Sequence, residues 1–197
     1  MAPRIAIFAC PPPLAARPSM RKLSHEEITA RRIPRDRVGS APRHPILAVL
    51  DNIRSLYNVG SMFRTADGAW IQELILSGYT PHPPRAEIEK TALGTTETVP
   101  WQHLRRPEEV IAHIRSRGAR LCVLEHTTGS VPYDRVSKKD FPLCLVVGNE
   151  LTGVSSEYIA AADCALEIPM YGTKQSLNAA VAFGIALFAL VRLWDSA

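Results

Sequence analysis

From Ile46 onward the apolar positions fall into short, nearly continuous runs separated by longer periodic ones. The short runs, rich in Leu, Ile and Val, are Ile46 to Leu50, Glu73 to Ser77, Arg120 to Glu125, Leu143 to Val147 and Ala165 to Ile168, and their length suits strands. Helical spacing lies between them at Val59 to Trp70, Pro107 to Arg117, Ser155 to Ala162 and Ser176 to Trp194. The second of these opens with a proline in its first turn and stops at Gly118. Unbroken apolar strands alternating with helices predict an α/β domain whose mainly parallel sheet is covered by helices on both faces.

Residues 1–45 break this pattern. They hold eight of the sixteen prolines, mixed with arginine, so no regular core element runs through them. Ser24 followed by Glu27 and Ile28 is a helix-start pattern and predicts a short basic helix over Ser24 to Arg32. The division expected is therefore a basic, proline-rich arm over 1–45 and a catalytic-type domain over 46–197. Residues 1–19 are read either as a disordered tail or as sequence upstream of a true start at Met20. The apolar stretch Ile5 to Cys10 is too short for a signal sequence and runs into three prolines.

Composition narrows the class. The 197 residues are 46% hydrophobic and 21% charged, the balance of a globular chain. The net charge of +4 is unevenly spread: residues 1–45 carry nine basic and three acidic side chains, a net +6, and residues 46–197 a net −2. An anionic partner held by the arm is the expectation, with Arg31, Arg32, Arg35 and Arg37 as candidate RNA contacts. Cys10, Cys122, Cys144 and Cys164 are widely spaced, which favours reduced thiols in a cytoplasmic protein over a zinc site or disulfide framework. The apolar run Ala179 to Val191 is shorter than the roughly 20 residues that span a bilayer and reads as core or interface. Neither membrane nor metal is expected.

Ligands of parallel α/β sheets bind beyond the carboxyl ends of the strands, and here those ends are polar. Three clusters stand there: Asp51 to Gly60 with Arg64, Gly148 to Gly153, and Ile168 to Asn178. Gly148 to Gly153 has the glycine spacing of a phosphate loop but lacks the Lys-Ser/Thr that must follow, and no G-x-G-x-x-G opens a helix after the first strand. Nucleotide hydrolysis, dinucleotide binding, and an α/β enzyme for small phosphorylated metabolites all lose support. No zinc-hydrolase or serine-esterase pattern occurs.

The three clusters, NVGSMFRTADGAW (58–70), LVVGNELTGVSSE (145–157) and IPMYGTKQSLNAAVAFGIAL (168–187 and on to Leu190), stand in order, each after an expected strand. In this the chain resembles the SpoU-type (TrmH-like) RNA ribose 2′-O-methyltransferases of the SPOUT superfamily, over about residues 46–193. The resemblance implies an α/β sheet with a C-terminal deep trefoil knot, S-adenosyl-L-methionine bound in that knot, and a homodimer whose active site is shared. It implies methylation of a ribose 2′-hydroxyl in tRNA or rRNA. The lack of a large appended RNA-binding domain leans towards tRNA, and the alternative is a non-catalytic RNA-binding protein on the same scaffold.

Carried residue by residue, the resemblance makes Arg64 the catalytic arginine. A guanidinium titrates above roughly pH 12 and is a poor base, so its role is to stabilise the developing alkoxide or clamp a phosphate, with a phosphate oxygen as candidate proton acceptor. Asn58 is expected as a helix N-cap, a substrate contact, or both, and Glu150 to position substrate or Arg64. Ser176 and Asn178 are expected to open the last helix, capping it or binding substrate. Gly148, Ile168, Met170 and Leu177 match the family's cofactor-contacting positions, and Glu125 to Thr127 are expected to line the same pocket. The departure Ala179-Ala180 after Leu177-Asn178 changes packing rather than chemistry. His82, His103, His113 and His126 are read as surface or internally satisfied residues.

Overall fold

The computed structural model describes residues 21–196 and divides the chain into two compact units, one ending at Ala41 and one starting at Pro42. The reading of residues 1–19, and Cys10, lie outside the described residues. In the first unit the expected helix is shorter than its pattern: α1 spans His25–Thr29. Ser24 caps it reciprocally, its hydroxyl accepting from the Glu27 amide at 3.2 Å while the Glu27 carboxylate accepts from the Ser24 amide at 2.7 Å. Arg21 beside that carboxylate, helped by Ser24, holds the Glu27 pKa down to about 2.

The second unit runs β1 (His44–Asp51), α2 (Leu56–Gly68), β2 (Ile71–Ser77), α3 (Ala86–Ala92), β3 (Trp101–Leu104), α4 (Pro107–Ser116), β4 (Arg120–Leu124), β5 (Val131–Pro132), β6 (Leu143–Val147), α5 (Ser156–Ala161), β7 (Cys164–Glu167) and α6 (Ala179–Asp195). The seven strands form one sheet in the order β3-β2-β1-β6-β4-β7-β5, and every pairing is parallel. It starts earlier than residue 46 because Arg43 is fixed to it. The guanidinium donates to the carbonyls of Ile71 at 3.1 Å and Thr98 at 2.7 Å and lies 3.8 Å over the Trp70 ring.

Alternation along β1 builds two cores. Ile46, Ala48 and Leu50 face Val59, Met62 and Phe63 of α2, Ile88 of α3, and Phe183 and Leu187 of α6. Leu47 and Val49 face Val110 and Ile114 of α4 and Tyr158 of α5. A sheet buried on both faces needs continuous apolar strands, which is the pattern the sequence carries. The Tyr158 hydroxyl keeps a partner inside the second core, 2.6 Å from the Ser77 hydroxyl, and no buried side-chain polar atom among the described residues lacks one.

Register sets up the site. Leu50 pairs with Val147, Val147 with Leu124, and Leu124 with Leu166, so the carboxyl ends of β1, β6, β4 and β7 finish level. The loops that follow them emerge side by side. Cys122, Cys144 and Cys164 are free thiols, no helix of the described residues is long and apolar enough to cross a membrane, and no group of three metal-ligating side chains occurs among them.

Candidate active site

The loop after β6 folds back on itself. Asn149 and Gly153 exchange backbone hydrogen bonds at 3.0 Å, and a Cβ on Gly148 would overlap the Gly153 carbonyl carbon. Gly153 has φ +71°, and the Glu125 carboxylate occupies the space where its Cβ would be, so both glycines are required by the turn itself. Glu125, at the end of β4, accepts from the Val154 amide at 2.9 Å and from the His126 amide at 2.9 Å. The Asn149 carbonyl oxygen accepts from the amides of Leu151 and Thr152, and its NH₂ donates to the Asn52 carbonyl and the Tyr79 hydroxyl, both at 2.7 Å.

Two carboxylates fasten this loop to the one after β1. Asp51 is fully buried and accepts from the Ser155 amide at 2.8 Å and hydroxyl at 2.6 Å. Burial pushes its pKa up, against the pull of those two bonds. Glu150 accepts from the amides of Arg54 at 2.9 Å and Ser55 at 3.2 Å and from the Asn58 side chain at 2.9 Å. Burial pushes its carboxyl up, but the Arg54 amide, its own amide, Asn58 and Ser55 together outweigh that, and the net pKa is low. Asn58 in turn accepts from the Asn178 side chain at 3.2 Å, and Asn178 caps α6 by accepting from the Ala180 and Val181 amides. One chain of hydrogen bonds thus joins the three polar clusters.

Glu150 and Asn178, the two ends of this chain, line a cavity of about 630 Å³, a size suited to a cofactor. Gly148, Ile168, Met170 and Leu177 all line it, as do Glu125, Glu150, Ser176 and Asn178. Its carboxylates are Glu125, Glu150 and Glu167, and among the described residues no lysine or arginine stands in its wall.

Several expectations need correction. Asn58 does not cap α2; Ser55 does, accepting from the Asn58 amide at 3.3 Å, and Asn58 sits within the helix with its side chain turned to Glu150 and Asn178. Ser176 does not open α6, which starts at Ala179; it lies in the exposed loop before it. Thr127 is absent from the cavity wall because it closes a turn, its hydroxyl accepting from Gly129 and its carbonyl from Ser130. Within the same Glu125 to Thr127 stretch, Glu125 and His126 do line the cavity, so His126 is not merely a surface residue, and Glu167 and Gln175 join them. The signal for His126 is its place directly after Glu125 at a strand end. Arg64 is exposed on α2, outside the cavity wall and without a side-chain partner among the described residues, and the Glu150 carboxylate bonds Asn58 and not Arg64 of its own chain. Arg31, Arg32, Arg35 and Arg37 are exposed in the first unit.

Residues 45–188 match the model of the SpoU rRNA Methylase family. The chain belongs to that family. Among similar proteins of the SpoU family, a 23S rRNA (guanosine-2′-O-)-methyltransferase RlmB of Vibrio vulnificus is 32% identical over 149 residues, 75% of this chain and 59% of the relative. A tRNA (guanosine(18)-2′-O)-methyltransferase of Aquifex aeolicus is 33% identical over 148 residues, 75% of this chain and 69% of the relative. The SpoU chain thus spans about three-fifths of the rRNA enzyme. An AdoMet-bound rRNA methyltransferase of Sinorhizobium meliloti superposes with TM-score 0.71 at 32% identity over 77% of this chain and 57% of that one. The SpoU methyltransferase AviRb of Streptomyces viridochromogenes, in complex with AdoMet, does so with TM-score 0.72 at 26% identity over 83% and 66%.

Proposed function

We propose that this protein is an S-adenosyl-L-methionine-dependent methyltransferase acting on a ribose 2′-hydroxyl in RNA, with tRNA favoured over rRNA. The observation that carries the reading is the hydrogen-bonded chain Glu150, Asn58, Asn178, whose two end residues stand in the wall of an acid-lined cavity. The donor set fits the cofactor. Carboxylates without a lysine or arginine suit a cationic sulfonium and ammonium, strand-end backbone groups at Gly148 and Ile168 suit a purine, and Met170, Leu177 and Ala182 supply apolar wall.

When bound, the cofactor supplies an electrophilic methyl carbon. The residues around it orient the reaction: Glu150 stays ionised and holds Asn58, Asn58 holds Asn178 in the cavity wall, and the substrate ribose is received beside Asn178. Arg64 stabilises charge growing on the attacking oxygen, whose proton passes to a phosphate oxygen of the RNA.

The side chain of Arg64 is exposed and stands outside its own cavity wall, so the reading includes a homodimer in which Arg64 of the partner subunit completes each site. Val181, Ile185 and Phe188, exposed apolar residues on one face of α6, support such an interface. Threading of residues 168–178 as a trefoil knot, RNA capture by the arginines of the arm, and a cytoplasmic location belong to the same reading. The test is transfer of a labelled methyl group from the cofactor to unmodified tRNA and rRNA, followed by digestion to nucleosides. Label on ribose supports it; label on bases refutes it.

A further inference from the structure

A second cleft, of about 720 Å³, opens at the carboxyl ends of β2 and β3, and its charge is opposite to that of the first. Arg54, Arg85 and Arg105 line it, no carboxylate is among the lining residues, and all three arginines are exposed without a side-chain partner among the described residues. No carboxylate in the cleft wall neutralises their guanidinium groups, so the cleft suits an external anion.

Three rings, of Tyr79, His82 and His103, stand in the rest of the wall. The His82 and His103 rings are tilted by 33° with centroids 4.7 Å apart, and Trp101 stacks on His82 at 6.2 Å. Tyr79 is 62% exposed. Carbonyl groups fix both imidazoles, since a carbonyl only accepts: His82 donates through Nδ1 to Pro83 at 2.8 Å and His103 through Nε2 to Gly78 at 2.9 Å. His82 Nε2 and His103 Nδ1 remain for a ligand. Guanidinium groups interleaved with rings are the combination that holds a sugar-phosphate backbone while a base stacks.

The two cavities share a wall. Asn149, which lines the first, donates to the Tyr79 hydroxyl of the second at 2.7 Å, and Glu150 of the first accepts from the backbone of Arg54 of the second at 2.9 Å. Two cavities that share a wall suit one RNA strand, a ribose at the first and its adjoining nucleotides at the second.

We propose that the cleft lined by Arg54, Arg85, Arg105, Tyr79, His82 and His103 binds the unpaired RNA segment next to the ribose presented to the acid-lined cavity. This rests on the reading of the protein as an RNA methyltransferase. It places a nucleotide-binding surface on the sheet itself, besides the basic arm.

The test is fluorescence anisotropy of the full chain with a single-stranded oligoribonucleotide across a salt series, for wild type, Arg85→Gln with Arg105→Gln, and a control, Arg135→Gln with Lys139→Gln, which removes the same charge near the opposite sheet edge after β5. The cleft variant should bind about tenfold more weakly, with a salt slope lower by about 0.7 for each phosphate no longer neutralised, while its calorimetric affinity for S-adenosylmethionine and its melting temperature match wild type. The control should bind as wild type does. Equal weakening in both variants, or none in the cleft variant, overturns the proposal. Inorganic phosphate should displace RNA no better than chloride at equal ionic strength; specific displacement would assign the cleft to a small phosphate ligand and overturn it. Wild type that methylates and binds RNA beside an unimpaired cleft variant sinks this inference alone, whereas wild type that binds no RNA sinks the methyltransferase reading with it.

Discussion

Asn178 donates its side-chain amide to Asn58 across 3.2 Å, joining residues 120 positions apart at the start of α6 and within α2. Asn58 passes the restraint to Glu150, and Glu150 to the backbone of the loop after β1. The site's geometry therefore depends on a carboxylate that need not touch substrate.

Glu150→Ala should leave the Arg54 and Ser55 amides and the Asn58 side chain without an acceptor and cost about 1 kcal/mol, the lower end for a site that water reaches. Because the folded pKa is lowered, the stabilisation is complete above the ordinary carboxylate value and lost as pH falls through the lower folded one. Urea titrations should give a constant gap between variant and wild type near neutrality that closes in acid. A gap that widens in acid would contradict this.

Gly153→Ala should destabilise the loop after β6 by about 1–3 kcal/mol, since a Cβ at φ +71° meets the Glu125 carboxylate. Calorimetry with S-adenosylmethionine should show affinity falling further than it does for the same substitution at Gly172, where a Cβ meets nothing within 4 Å. Equal affinities for the two variants would remove the turn from cofactor binding.

The strands and their level ends were legible because apolar runs of five residues between periodic helices leave few architectures open. β3 escaped notice: Trp101–Leu104 is an edge strand whose four residues are only half-buried, so it carries no apolar run. α3 escaped because only Ile88 and Ala92 of its seven residues are buried. Within the site, the residues that line the cavity were marked by the motifs, but the partners that fix them were not. Asn58 reads as a cap from its position before a helical pattern; Ser55 three residues earlier takes that role, freeing Asn58 for a bond to residue 150 that no local pattern encodes. Thr127 leaves the cavity wall that Glu125 and His126 keep for a similar reason, since a turn closed by Ser130 draws it away.

Arg64→Ala should reduce methyl transfer by at least about a hundredfold with little change in cofactor affinity, because the residue lies outside the cavity wall of its own chain. Mixing Arg64→Ala protein with a variant defective in the cavity, such as Gly153→Ala, should restore part of the activity in heterodimers if the site is shared. Absence of any restoration, with heterodimers verified, would place Arg64 in its own chain's site.

Neutralising Arg31, Arg32, Arg35 and Arg37 together should weaken RNA binding and flatten its salt dependence by about 0.7–0.9 for each phosphate the arm no longer neutralises. Transfer at saturating RNA should persist, since none of these side chains belongs to the cavity wall. Unchanged affinity and slope would remove the arm from RNA capture.

The most direct test of the central claim is mass-spectrometric mapping of ribose methylation in total tRNA and rRNA from cells with and without this gene. The account predicts that one 2′-O-methylated nucleotide disappears on deletion and returns with the wild-type protein but not with Arg64→Ala. Ribose methylation identical in both strains, with the protein expressed in the wild type, would contradict it.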